Sequence, residues 1–270
     1  GKFEIDSPIV IGNIQSLYRK IDTIKKEFGT VILDEMHHVS SPTFSRIIDK
    51  LHCRYKIGLT GTLERKDGKH VVFRDYFGQH VLKPPKENFM TPVIDIIESE
   101  VRFLDGNRIP WANRINHLVS QEEYVHSIAM IASAYAAKGH KVLVVSDRVS
   151  LLKTCARLSG HSAVCITGEL DQQERENLLE SVQTSKDILY GTQAIFSEGI
   201  SLNALSCLVL ATPINNDPLL TQLIGRIVRK QEGKKQPVVV DIHLKGKTAT
   251  RQAKARYGFY MKQGYEIRIL

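Results

Sequence analysis

Two adjacent carboxylates, Asp34 and Glu35, follow the apolar run Val31-Ile-Leu33 and lead into Met36-His-His38. An apolar strand that ends in paired acids suits nucleotide chemistry. One carboxylate, Asp34, can hold a Mg²⁺ that bridges two phosphates, usually through water. Its neighbour Glu35 points elsewhere and can orient or deprotonate an attacking water. A strand ending in an ordinary polar turn would look the same over eight residues, so the pair needs company. Some comes from Gly58-Leu-Thr-Gly-Thr62, at the end of a second apolar run. There Thr60 and Thr62 could hydrogen-bond His37 and sense a terminal phosphate, although Thr and Gly are common in turns for local reasons. His38 reads as a turn residue with no metal cluster around it.

The elements that must position these residues are legible as an alternation. Short apolar runs at Val31–Leu33, Lys56–Leu59, Lys141–Val145, Ile188–Tyr190, Cys207–Leu210 and Pro237–Ile242 are separated by amphipathic stretches, the pattern of a parallel α/β sheet. Ligands of such sheets sit beyond the carboxyl ends of the strands. Pro84-Pro85 followed by Lys86-Glu-Asn88 marks a domain boundary, and Pro92-Val-Ile-Asp-Ile-Ile97 opens a second unit. Residues 102–122 lack clear periodicity and read as a connecting segment. Thr248 to Gln263 reads as a helix, with Tyr257, Phe259, Tyr260 and Met261 available for docking.

Composition narrows the class. Hydrophobic residues make up 42% and charged residues 24%, the balance of an ordinary globular protein. No apolar stretch approaches the ~20 residues of a membrane helix, and the polar start from Gly1 to Asp6 has no secretory pattern. A cytoplasmic location is expected, the host cytoplasm for a phage-encoded chain. Cys53, Cys155, Cys165 and Cys207 form no C-x-x-C pair, which argues for buried free thiols rather than a zinc site or disulfides. The net charge of +8 is uneven: Thr221 to Leu270 holds twelve Lys/Arg against three Asp/Glu, so the rest of the chain is close to neutral. A basic surface there, including Lys245, Lys247, Arg251 and Lys254, would attract a nucleic-acid backbone; a solvated basic tail is the alternative.

Together the residues resemble the superfamily 2 helicases. Asp34-Glu-Met-His37 is similar to their D-E-x-H motif II and Leu59-Thr-Gly-Thr62 to motif III. Ile9 to Leu17 resembles the T-x-Q-S-L segment, and Lys141-Val-Leu-Val-Val-Ser146 resembles motif IV. Gly191 to Ser201 resembles motif V, and Gln222-Leu-Ile-Gly-Arg-Ile-Val-Arg229 resembles motif VI. Six motifs in order are far more specific than any one of them. Thr167-Gly-Glu-Leu-Asp171, Phe196 to Ser201 and Ile224 to Lys230 point further, to the phage UvsW-like helicases that remodel branched DNA.

The resemblance implies an α/β fold of two RecA-like lobes with parallel sheets, the first incomplete at its N-terminus, with ATP and Mg²⁺ between them and DNA across both. Residues 1–88 would be the C-terminal part of lobe 1 and 89–245 lobe 2 with the connecting segment 102–122. Residues 246–270 would form a basic C-terminal helix. On one helix Gln222, Arg226 and Arg229 would share a face, presenting two guanidinium groups to a nucleotide held by the other lobe, with Arg229 as the arginine finger. Spacing alone would favour a solvated basic face; the motif order favours the catalytic one. Gly199 would allow close approach to the nucleotide. Gln15, Ser16, Gly191 and Thr192 would touch DNA phosphates, contacts that fix register without reading sequence. Ser201 stands where the family often has an acid.

A phosphate loop, G-x-x-x-x-G-K-[ST], is missing from these residues. Gly246-Lys-Thr248 imitates its end, but Asp241 stands where the first glycine belongs, and the position after motif VI is wrong. The expectation is that the loop lies upstream and that residues 1–270 alone do not hydrolyse ATP. The expected function is an ATP-dependent DNA helicase or translocase acting on branched DNA as a monomer. An RNA helicase or restriction-enzyme motor is one alternative, a nucleic-acid-binding module without hydrolysis another.

Overall fold

The computed structural model describes residues 5, 7–36, 39, 41–61, 71–83, 85–106, 108–197 and 202–270. The chain divides into two units, Gly1–Lys83 and Pro84–Leu270.

In the first, α1 (Ile14–Ile24), β1 (Thr30–Leu33), α2 (Pro42–Lys50), β2 (Tyr55–Gly58) and α3 (Val71–Phe77) follow in order. β1 and β2 pair in parallel, Thr30 opposite Tyr55 through Leu33 opposite Gly58. α1 begins where the Asn13 side chain accepts the Gln15 amide, and α2 where Pro42, which has no amide hydrogen to satisfy, takes its first position. Ile21, Ile24, Leu33, Met36, Ile47, Ile48 and Phe73 make the core of this unit.

The second unit runs through β3 (Val93–Arg102), α4 (Trp111–Val119), α5 (Glu122–Ala137), β4 (Lys141–Ser146), α6 (Val149–Leu158) and β5 (Ala163–Ile166). It continues with α7 (Gln172–Thr184), β6 (Ile188–Thr192), α8 (Gln193–Ser197), β7 (Leu205–Leu210), α9 (Asp217–Ile227), β8 (Val238–Lys245), α10 (Lys247–Gln263) and β9 (Glu266–Ile269). The seven strands lie in the order β5-β6-β4-β7-β8-β3-β9, all paired in parallel. One face packs against α4, α5 and α6, the other against α7, α8 and α9. Val142 to Val145 and Cys207 to Leu210 are buried from both sides, which explains why those runs are continuously apolar. The segment 102–122, without clear periodicity in sequence, contains α4, anchored by Ile115 and Leu118.

Chain order reverses at β4. From it the chain leaves through α6 to β5 on one side of the sheet, while β7 and its helix α9 depart on the other. Such a switch opens a crevice at the strands' carboxyl ends. α10 is fixed across the sheet by a buried ion pair: Arg256 donates from Nε and Nη2 to the Asp241 carboxylate at 2.8 and 2.7 Å, and the Tyr260 hydroxyl donates to it at 3.0 Å. Phe259 and Tyr260 dock as expected; Tyr257 and Met261 lie on the exposed side of the helix.

Candidate functional site

Beyond Leu33, β1 delivers Asp34 and Glu35 into a loop tied to the end of β2. The Leu59 amide donates to the Leu33 carbonyl and the Met36 amide to the Leu59 carbonyl, both at 2.8 Å. Met36 is buried against Gly58, where a Cβ would lie 2.1 Å from its Sδ. Any side chain at 58 would therefore collide with the Met36 side chain and force it aside. Glu35 has φ 48, a left-handed conformation that costs a non-glycine residue on the order of 1–3 kcal/mol. Asp34 helps to hold it, its Oδ1 accepting the Glu35 amide at 2.9 Å. The outcome is division of labour: Asp34 is exposed and Glu35 half-buried. Thr60 lies half-buried just past β2, while His37 and Thr62 lie outside the described residues. Gln15 and Ser16 are exposed in the first turn of α1.

In the second unit the structure separates residues that the spacing had grouped. Gln222 and Arg226 are on α9, but the helix ends at Ile227. Arg229 lies beyond its cap, exposed and bridged to Phe89. The reason is a competing backbone pairing: the Met90 amide donates to the Val228 carbonyl at 2.8 Å and the Lys230 amide to the Asn88 carbonyl at 3.0 Å, which draws the chain off the helix. The single helix face expected for Gln222, Arg226 and Arg229 is thus corrected. Arg226 reaches back to motif V, its Nε donating to the Phe196 carbonyl at 2.8 Å. Lys234 ties down the segment after Arg229, donating to the Arg229 and Asn203 carbonyls at 2.8 Å each. Burial and the charge of Arg229 push this ammonium down to about 8.

Gly191 and Thr192 are the last residues of β6 rather than a loop after it. Gly191 is buried with a paired strand on either side, opposite Val145 and Ile166. A Cβ there would fall 2.0 Å from the Phe196 ring, so its glycine is explained by packing, and the expectation that it offers its backbone to a phosphate is corrected. Thr192, half-buried at the strand end, stays accessible. Gly199 and Ser201 lie outside the described residues.

The basic tail is also sorted. Lys245 pairs with Glu100, whereas Lys247, Arg251 and Lys254 are exposed on α10. Gly246, at φ 124, does form an amide cradle with Lys247 and Thr248, and it is filled from within: the Asp105 oxygens accept the Lys247 and Thr248 amides at 2.9 Å each. Those bonds pull the Asp105 carboxyl below its ordinary value. An internal carboxylate sits where a phosphate would bind, so this is no phosphate loop.

Sequence reading missed a cluster at the carboxyl ends of β4, β6 and β7, where Trp111, Asp147, Gln193, Asn215, Asn216 and Gln252 line a common pocket. The signal was positional: Asp147 and Asn215-Asn216 follow strands β4 and β7. Gln252 comes from a helix more than a hundred residues beyond Asp147 in sequence, and no pattern announces it.

Comparison with known proteins relates the chain to helicases. The family described as helicase conserved C-terminal domain matches residues 123–231, and that described as type III restriction enzyme, res subunit, matches residues 2–65. Probable helicase D10 of Escherichia phage T5 is 42% identical over 270 residues, covering 98% of this chain and 60% of that protein.

The chain is related to the superfamily 2 helicases.

Within them it is related to the UvsW-like phage helicases. The crystal structure of T4 UvsW aligns with a TM-score of 0.54 at 24% identity, over 98% of this chain and 58% of that one. Yeast Dbp5 bound to RNA and ADP BeF3 aligns with a TM-score of 0.62 at 13% identity, over 99% and 68%. These likenesses establish the helicase α/β fold for a chain that spans about 60% of the curated T5 relative. Among the described residues no helix is long and apolar enough to cross a membrane.

Proposed function

We propose that this chain forms most of the motor of an ATP-dependent DNA helicase or translocase that remodels branched DNA. The observation that carries the reading is the acidic loop of β1, where an exposed Asp34 and a half-buried Glu35 are locked to the end of β2 by two backbone bonds and the Met36–Gly58 contact. The 42% identity to a phage helicase supports it.

Mg²⁺ with the phosphates of ATP fits Asp34, an exposed hard-oxygen ligand. The ion would neutralise phosphate charge. Glu35 orients and deprotonates the attacking water, Thr60, with His37 and Thr62, has the role of sensing the terminal phosphate, and Arg226 and Arg229 offset charge developing on the transferred phosphoryl group. Gln222 of motif VI and Gly199 of motif V have the role of nucleotide binding. Gln15, Ser16 and Thr192 grip the DNA backbone, and Lys247 and Arg251, more than the paired Lys245, add electrostatic attraction. Residues 1–88 serve as the C-terminal part of lobe 1, 89–245 as lobe 2 and 246–270 as the basic helix. The working form is a monomer.

The test is the ATPase activity of the complete protein with forked DNA, linear duplex and RNA of equal length. Stimulation by forked DNA above both others is expected. Stimulation by RNA alone would overturn the DNA assignment and favour an RNA helicase.

A further inference from the structure

None of the roles assigned above uses the side chains that line the pocket at the reversal of chain order in the second unit. It has a volume of ≈ 350 Å³ and lies beyond the carboxyl ends of β4, β6 and β7, where Asp147, Gln193, Asn215 and Asn216 come together. Trp111 stands at one side, 39% exposed, its back packed on Phe103 with ring centroids 5.3 Å apart. Gln252, from α10, forms another part of the lining.

Two features say what the pocket takes. Gln252 is only 8% exposed, yet its buried Oε1 has no hydrogen-bond partner among the described residues. A buried amide left in this state is costly, and a ligand that donates an N–H to it relieves the cost. Charge then excludes a phosphate. None of the described lining residues is cationic, and Asp147 carries a negative charge whose nearest cation, Arg148, is already engaged with it at 3.1 Å. Side-chain amides beside an aromatic platform match the edges and the face of a nucleobase, which can hydrogen-bond to the one and stack on the other.

We propose that this pocket holds one unstacked nucleobase of a bound single strand, with Trp111 as stacking platform and the Gln252 amide, together with Asn215, reading the base edge. Gln193 and Asn216 are held back from that role: Gln193 Nε2 donates to the Thr212 hydroxyl at 3.4 Å, and Asn216 caps α9 by accepting the Leu219 amide at 3.3 Å. The proposal rests on the reading of the chain as part of a nucleic-acid motor and adds a contact to a base where the backbone grips contribute none.

Trp111 is the only tryptophan of the chain and therefore reports on its own pocket. The full chain is titrated with a labelled single strand of about 12 nucleotides and with an abasic strand of the same length and charge. Strand anisotropy and tryptophan emission are followed together. Emission quenched by the base-bearing strand and unchanged by the abasic one is the expected result. Trp111→Ala and Gln252→Leu should each weaken the base-bearing strand, the former by roughly 5- to 100-fold, and leave the abasic strand unaffected; unchanged circular dichroism verifies their folding. If either variant does not fold, the emission comparison on the unmodified chain decides alone. Binding by anisotropy with no change in emission, or with equal quenching by both strands, would overturn the base pocket and leave the nucleic-acid reading intact. Failure of both strands to bind would remove both.

Discussion

The two units treat the same kind of sheet differently. In the second, helices cover both faces, and β4 and β7 are buried along nearly their whole length. In the first, Val31 and Leu33 face a helical core, while Ile32 is 60% exposed and Ile57 45% exposed on the opposite face. Parallel sheets are ordinarily covered on both faces, and two strands alone are marginal. Within residues 1–270 the proposed catalytic carboxylates stand on the less covered of the two sheets, held by local devices: the Met36–Gly58 contact, two backbone bonds and the Asp34 cap on Glu35. Arg226 stands on α9, which packs against the better protected sheet, and is held by the carbonyl of a fully buried phenylalanine.

The contrast can be broken most severely from the second unit. Arg256→Ala leaves Asp241 buried without its cation and should cost about 3–5 kcal/mol in urea denaturation; a loss below about 1 kcal/mol would mean that the pair does not anchor α10. In the first unit, Gly58→Ala forces Met36 aside and should cost about 1–3 kcal/mol. It should lower the ATPase of the complete protein as the acidic loop shifts, and Gly58→Ala with Met36→Ala should recover part of the stability. A fully additive double mutant would show that the two residues do not compete for space.

Acid sharpens the same comparison. Burial alone would push the Asp241 carboxyl up; Arg256 and His243 outweigh it and bring it down to about 2. Its folded value lies below its unfolded one, so its contribution is complete above about pH 4 and fades as pH falls towards 2. Stability of the second unit should drop across that window on the order of 2 kcal/mol more in the native chain than in Asp241→Asn. Equal acid dependence would remove Asp241 from the account. The smallest effect belongs to the exposed ion pair of Asp22 with Lys25, 3.3 Å apart in the first unit: Asp22→Asn should change stability by no more than about 0.5 kcal/mol.

What the sequence revealed follows the same physics. The strands legible as apolar runs include every interior strand of the large sheet, because burial on two faces leaves few polar positions, Asp95, Ser206 and Asp241 among them. The two strands it did not reveal, β5 and β9, are the edges of that sheet, four residues each and only partly buried. α4 was hidden because only Ile115 and Leu118 of its nine residues are buried. The acids of β1 were visible as a motif, but the conformation of Glu35 was not. Arg229 was misplaced because spacing cannot see a helix end imposed by Phe89, and Gly191 because spacing cannot see Phe196. The imitation of a phosphate loop at Gly246 was recognised from motif order; that Asp105 fills it could only come from the fold.

The central claim is that Glu35 serves as the base of an ATP-driven motor. Glu35→Gln in the complete protein, assayed for nucleotide binding by fluorescent ATP and for turnover with forked DNA, tests it most directly. Binding within about twofold of the native protein and turnover lowered by at least ~10²-fold are the predicted result. Turnover retained at the native rate would contradict it.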